Sequence, residues 1–224
     1  MESLAPADVV IVVDVLSFST CVDVATSRGA VILPYATRDP AVADFAARQR
    51  AVLAGARGQA PYSLSPVSFA EADHRLRCVL PSPNGATLAL RAESVAPVVL
   101  TACLRNASAV AATAMSLGST FNVCPAGERW PDDALRPALE DWLGAGAILR
   151  SLPGPRSPEA NAAVAAFETA RAQLRDVILA SSSGRELIER GYIADVNVAA
   201  EYDVSRCAPR LRNGVFEAVR ASAV

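Results

Sequence analysis

The chain contains no lysine; all 21 of its basic residues are arginine. That excludes Schiff-base catalysis and a lysine-bearing phosphate loop, and genome base composition is the simpler cause of the bias. Histidine is almost as scarce. His74, the only one, sits in a charged stretch and reads as a surface residue, so an enzyme built on this chain works through carboxylates and a metal rather than through imidazole. The five cysteines are widely spaced and form no C-x-x-C pair, which excludes a structural zinc site and suits a reduced chain. No apolar run approaches the ~18 residues needed to span a bilayer, and residues 1–7 lack a charged-then-apolar signal pattern. The expected location is therefore the cytoplasm, away from membranes. A net charge of −2, with arginines and acids interspersed, leaves no basic stripe for nucleic acid.

What the chain has in abundance is alanine and valine, and 224 residues suffice to bury a sizeable core. Val9–Val13 is an uninterrupted β-branched run of the kind buried on both faces of a parallel sheet. A helix is expected over residues 19–28 and a strand over 30–33. Asp39-Pro40 then supplies an acid cap and a first-position proline for a helix reaching about Leu53. Strands follow over 78–80, 98–101 and 121–124, with helices over 107–116 and 134–150. This alternation predicts an α/β protein with a mostly parallel sheet between helices. Residues 152–158 read as a linker. Beyond them Ala163, Phe167, Leu174 and Ile178 fall on one helical stripe. The segment is too short to stand alone, so residues 1–224 are expected to form one α/β domain, with the helical part from about 157 packed on the same core.

In open α/β sheets ligands bind beyond the carboxyl ends of the strands. Asp14 closes the first strand and reads either as a Mg²⁺ ligand or as a turn residue capping the next helix. Ser19 and Thr20 open that helix, where an anion is favoured, or else serve as ordinary caps. Asn84-Gly85 could present backbone N–H groups to a ligand or simply make a turn. Arg105, followed by Asn106, could grip a phosphate or sulfonate, and is equally an arginine beside a capping asparagine. Glu140 and Asp141 flank the apolar stripe of a helix over 134–150. Periodicity makes them solvated charges, able to share a metal only if the helix is distorted there or starts later. Gly144 and Gly146 in that helix suit close helix packing.

Other chemistries lack their signatures. Asp14-Val15-Leu16 misses the second acid of an aspartyl-phosphate hydrolase, and Cys124 to Arg129 is one residue short of a tyrosine-phosphatase loop. A cysteine hydrolase centred on Cys124 is a remaining alternative, against which stands the usual place of a small Cys in the core.

Several segments together resemble the 2-phosphosulfolactate phosphatase (ComB-like) family. They are Asp14-Val15-Leu16 with Ser19-Thr20; Pro83-Asn84-Gly85 with Thr87; Leu104 with Asn106-Ala107; and Cys124 with Glu128, then Glu140-Asp141 and Gly144. Ser183-Gly184 with Gly191 and Asp195 follow in the same order. Each motif is weak singly, and their collinearity over nearly the whole chain carries the resemblance. It implies a three-layer α/β/α fold with a mostly parallel or mixed central sheet. It also implies Mg²⁺-dependent hydrolysis of a small phosphorylated hydroxy acid, 2-phosphosulfolactate or a relative, a step that makes sulfolactate on the route to coenzyme M. The resemblance assigns Asp14, Glu140 and Asp141 to the metal, and Asp14 or Glu128 to the attacking water. Ser17, Ser19, Thr20, Asn84, Gly85, Arg105 and Asn106 fall to the substrate.

Two departures stand out. Ser17 occupies a position where the family usually carries Arg, and Ser63-Leu64-Ser65-Pro66 replaces a Gly-Asn-Ser-Pro segment that is closely followed by Glu. A cation and a carboxamide are thus missing from the pattern, and Arg57 or Arg129 could stand in for the cation. The alternative function is a non-catalytic phosphate- or anion-binding protein on the same fold. A homodimer is the default oligomeric expectation.

Overall fold

Val9–Val13 forms β1, buried on both faces and paired in parallel with β5 (Val98–Ala102) on one side and β6 (Phe121–Pro125) on the other. The structure is a computed structural model that describes residues 6–37 and 39–219. Residues 1–5, part of the stretch read for a targeting signal, lie outside the described residues. Alternate residues of β1 point to opposite faces. Val10 and Val12 meet α1 (Phe18–Ser27) and α3 (Gly85–Glu93). Val9, Ile11 and Val13 meet the opposite core, which holds α4 (Ala107–Leu117) and α5 (Leu139–Leu149). Helices therefore cover both faces of the sheet, and the architecture is three-layer α/β/α.

The remaining strands are β2 (Val31–Tyr35), β3 (Val52–Leu53), β4 (Arg77–Pro81), β9 (Pro209–Arg212) and β10 (Val215–Ala218). The sheet order is β3-β4-β2-β10-β9-β5-β1-β6. Parallel pairings join β1 to β5, β1 to β6, β2 to β4 and β3 to β4, whereas β2–β10, β10–β9 and β9–β5 are antiparallel. The sheet is thus mixed and mostly parallel, with a C-terminal hairpin wedged between two parallel groups. Asn213 and Gly214, at φ +52° and +74°, turn that hairpin. Asn-Gly is the dipeptide that tolerates left-handed backbone at both turn positions, and it was the one available signal for these two strands.

Two helix boundaries differ from the sequence reading. Asp39 does cap α2 (Ala41–Arg48), accepting the Ala41 N–H at 2.9 Å. The helix stops at Arg48, and Val52–Leu53 becomes the edge strand β3 instead of its last turn. The expected helix over 134–150 begins only at Leu139. Residues 128–136 form instead a small antiparallel ribbon of β7 (Glu128–Arg129) and β8 (Leu135–Arg136). Pro137 explains the shift, since a proline inside a helix removes a hydrogen bond and clashes with the preceding turn.

The C-terminal helices are α6 (Pro158–Ala170), α7 (Leu174–Ala180), α8 (Ser182–Glu189) and α9 (Ile193–Ala199). The stripe over 163–178 is divided between α6 and α7 by a 3-10 turn, Arg171–Gln173. Phe167, Ile178, Leu187 and Val196 all enter the core beside β1. α6 crosses α5 closely at Gly146, where a Cβ would lie 2.1 Å from the Ala163 carbonyl oxygen. No helix among the described residues is long and apolar enough to cross a membrane.

Candidate active site

β1 ends at Val13, and the carboxylate of Asp14, only 4% exposed, lies at the start of two helices. Its Oδ1 accepts the Phe18 N–H at 3.0 Å and its Oδ2 the Gly85 N–H at 2.9 Å. Asp14 therefore caps α1 and α3 at once, placing an anion where both dipoles favour it. Gly85 is required by this approach: a Cβ there would stand 2.5 Å from Asp14 Oδ2 and from the Phe18 ring.

Because α5 starts after Pro137, Glu140 and Asp141 fall in its first turn rather than in the middle of a longer helix. Both are buried, at 1% and 3% exposure, which corrects the reading of solvated charges. Asp141 ties two loops together, its Oδ1 accepting from the Val15 N–H at 2.7 Å and its Oδ2 from the Gly127 N–H at 2.9 Å. Glu140 differs: its Oε2 is buried with no hydrogen-bond partner. Glu128, on β7, accepts from Asn84 Nδ2 at 2.9 Å.

These carboxylates disturb one another. Burial, then the charges of Glu128 and Glu140, push Asp14 up to about 7 against the two N–H bonds that favour its anion. Asp141 is pushed well above the usual carboxylate range by burial, then by Asp14 and Glu140. Burial also raises Glu128, with Asn84 and Arg136 acting against it and Glu140 reinforcing it. Buried like charges cannot all ionise without a counter-charge.

Asp14, Ser17, Asn84 and Glu128 line a cleft of ≈ 540 Å³, around which stand Arg57, Arg129, Arg136 and Arg190. Arg136 is engaged by both oxygens of Glu186 and by Ser183 Oγ at 3.5 Å. Arg57 donates from Nε to Asp195 Oδ2 at 3.2 Å and from Nη2 to Ser17 Oγ at 2.9 Å. Among the described residues no group of three or more His, Cys, Asp or Glu side chains is arranged to hold a metal ion by itself.

The structure does not bring every candidate to the cleft wall, and Gly85, Glu140 and Asp141 are among those off it. Ser19 Oγ accepts the Asp14 N–H at 2.9 Å and bonds Thr101 Oγ1 at 2.6 Å, while Thr20 Oγ1 donates to the Val15 carbonyl at 2.7 Å. Both hydroxyls are fully buried and lie off the cleft wall. Arg105 also lies off it, donating to Asp23 at 3.0 Å and to Glu201. Asn106 is buried, and its Oδ1 accepts the Cys103 N–H at 2.8 Å. Cys124 is outside the cleft as well, and burial pushes its thiol up to about 11, far from the thiolate a nucleophile needs. Conversely, Arg136, Glu186 and Arg190 had no local signal; Arg136 was hidden by the helix expected across Pro137.

The fold and the cleft define an α/β protein that presents carboxylates and arginines beyond its strands, with neither thiol nor imidazole on the cleft wall. The chain belongs to the 2-phosphosulpholactate phosphatase family, whose model matches residues 1–214. It is 29% identical over 209 residues to the 2-phosphosulfolactate phosphatase of Methanothermobacter thermautotrophicus, covering 92% of this chain and 88% of that protein. A probable 2-phosphosulfolactate phosphatase of Symbiobacterium thermophilum is 29% identical over 232 residues, with 96% of this chain and 97% of the relative covered. A probable 2-phosphosulfolactate phosphatase of Gloeobacter violaceus is 34% identical over 134 residues, a match that spans 60% of this chain and 55% of the relative.

Proposed function

We propose that the protein is a Mg²⁺-dependent phosphatase acting on 2-phosphosulfolactate or a closely related small phosphorylated hydroxy acid. The observation that carries this reading is the unpartnered, buried Oε2 of Glu140 beside Asp14 and Glu128. An orphaned carboxylate oxygen in a cluster of like charges is a costly arrangement that a bound cation relieves. The donor set is oxygen only, which suits Mg²⁺, and Mg²⁺ usually takes one or two carboxylates with water and substrate phosphate completing its shell. Asp14 and Glu140 would hold it. Asp141, which unlike Asp14 does not line the cleft and whose oxygens accept the Val15 and Gly127 N–H groups, would serve chiefly to position those two loops. Bound there, Mg²⁺ would neutralise charge developing on the phosphoryl oxygens.

Glu128 is the residue best placed to orient the attacking water and accept its proton, because burial raises its basicity and Asn84 fixes its Oε2. Asn84 keeps a place on the cleft wall for the substrate itself. The surrounding arginines would draw in a multiply charged acid. The five cysteines are all buried and unpaired, in keeping with a cytoplasmic enzyme. No separate observation favours the non-catalytic alternative.

The test is phosphate release from 2-phosphosulfolactate and 2-phospholactate, with Mg²⁺ and with EDTA. Turnover that EDTA abolishes and Mg²⁺ restores is the expected result, with Glu140→Gln shifting the Mg²⁺ requirement to higher concentration. Turnover that ignores EDTA would remove the metal from the reading.

A further inference from the structure

The arginines around the cleft are not equivalent. Arg136 is neutralised by both oxygens of Glu186. Arg129 is half exposed and donates to the Asp133 carbonyl at 2.8 Å, and Arg190 is exposed. Arg136 is also braced by Ser183 Oγ and the Trp130 ring, but both of its terminal nitrogens are engaged, whereas Arg57 is held from several sides with one terminal nitrogen left over. Asp195 Oδ2 takes its Nε at 3.2 Å, Ser17 Oγ takes its Nη2 at 2.9 Å, and the Tyr192 ring lies 5.4 Å from its central carbon. Asp195, whose side chain is 3% exposed, is itself fixed by Ser65 Oγ. The described residues give Nη1 no hydrogen-bond partner, and the side chain keeps 20% exposure where it lines the cleft.

A guanidinium held this firmly loses little freedom when it accepts a ligand, and its planar fork matches an acid group with two oxygens. Asp14 and Glu128 line the same cleft. A ligand with one anionic end near those acids and a bound cation could therefore place a second acid group against Arg57.

We infer that Arg57 is the specificity-determining residue of the cleft, receiving the second acid group, sulfonate or carboxylate, of a phosphorylated diacid, and that Asp195 and Ser17 are its positioning residues. The substrate class rests on the phosphatase reading; the role of Arg57 as a receiver of an acid group does not.

The experiment compares wild type, Arg57→Gln and Ser17→Ala on four phosphate esters. These are 2-phosphosulfolactate, 2-phospholactate (carboxylate only), O-phosphoisethionate (sulfonate only) and p-nitrophenyl phosphate (neither). Arg57→Gln is expected to lower kcat/KM on 2-phosphosulfolactate by about ten- to a hundredfold, the cost of one charge-assisted contact, through KM rather than kcat. On p-nitrophenyl phosphate the change should stay below about threefold. Whichever mono-acid ester shows the larger loss identifies the group that Arg57 receives. Ser17→Ala leaves the guanidinium intact but frees one anchor, and should raise KM for 2-phosphosulfolactate in the same direction by a smaller factor. This second variant decides the matter if Arg57→Gln does not fold. Equal losses on all four esters, or none on 2-phosphosulfolactate, would overturn the assignment.

If wild type releases phosphate from none of them, the phosphatase reading falls. Calorimetric binding of sulfolactate to the same proteins then decides Arg57 separately. Weakening by about tenfold or more in Arg57→Gln sustains the assignment; unchanged affinity, or no binding to wild type, ends it.

Discussion

The carboxylate of Asp14 accepts the backbone N–H of Gly85 at 2.9 Å across 71 residues of sequence. One side chain thereby joins the end of β1 to the first turn of α3, and the cleft opens where the two meet. Adding a methyl at residue 85 would set a Cβ 2.5 Å from both Asp14 Oδ2 and the Phe18 ring. Gly85→Ala should destabilise the protein by about 1–3 kcal/mol through overpacking and lower activity further by displacing Asp14. Urea unfolding and phosphate release, measured side by side, check both parts. A variant with wild-type stability would mean that the contact is looser than 2.9 Å in solution.

The acidic cluster predicts an inverted pH response in metal-free protein. Burial, followed by Glu128, raises Asp14 from 3.8 unfolded to about 7 folded. The folded state then binds the proton more tightly, so the contribution is complete below pH 3.8 and is lost as pH rises towards about 7. Asp141, also raised by burial, acts in the same direction. Asp8, lowered to about 2 by N–H bonds from Ser119 and Thr120, acts only under more acid conditions. In EDTA, the Tm should fall between about pH 5 and 8, and Mg²⁺ should recover most of the loss at the upper end. A Tm that rises over this window would contradict the proposed cluster.

Arg105 should behave as a structural residue. Its side chain is 15% exposed and pairs with Asp23, which is 0% exposed; burial pushes that carboxyl up while Ser205 and Arg105 hold it down. Arg105→Ala strands the acid and should cost roughly 3 kcal/mol, with KM for any phosphate ester unchanged at temperatures where the variant is folded. A raised KM without loss of stability would return Arg105 to the substrate.

Cys124→Ser should retain wild-type phosphate release, and iodoacetamide should leave the native enzyme active. The thiol is buried, is pushed up to about 11, and lies off the cleft wall. Inactivation by the reagent, prevented in the serine variant, would revive the cysteine mechanism.

Much of the layered architecture could be read along the chain. The β-branched run Val9–Val13 became a strand buried on both faces, and Asp39-Pro40 began a helix. These features rest on local chemistry, namely side-chain branching, caps and apolar spacing, which act within a few residues. Boundaries set by single residues are legible as well: Pro137 marks the late start of α5, and Asn213-Gly214 marks the hairpin of β9 and β10. The site was legible in part. Asp14, Asn84 and Glu128 reach one cleft, whereas Arg105, at an equally correct strand end, is held by Asp23, and Asn106 is buried off the cleft with its Oδ1 on the Cys103 N–H.

That difference has a physical basis. A residue's type and its position at a strand end are local properties, and they sufficed to mark which side chains could carry charge or accept a proton. Which of them stays free depends on what packs against it. No pattern along the chain sets Arg57 against Asp195, separated by 138 residues, or Val15 against Asp141, separated by 126. Those pairs exist because α5 packs against β1 and α9 packs against the turn at Pro66–Phe69. Such contacts form only when buried apolar surface brings distant segments together.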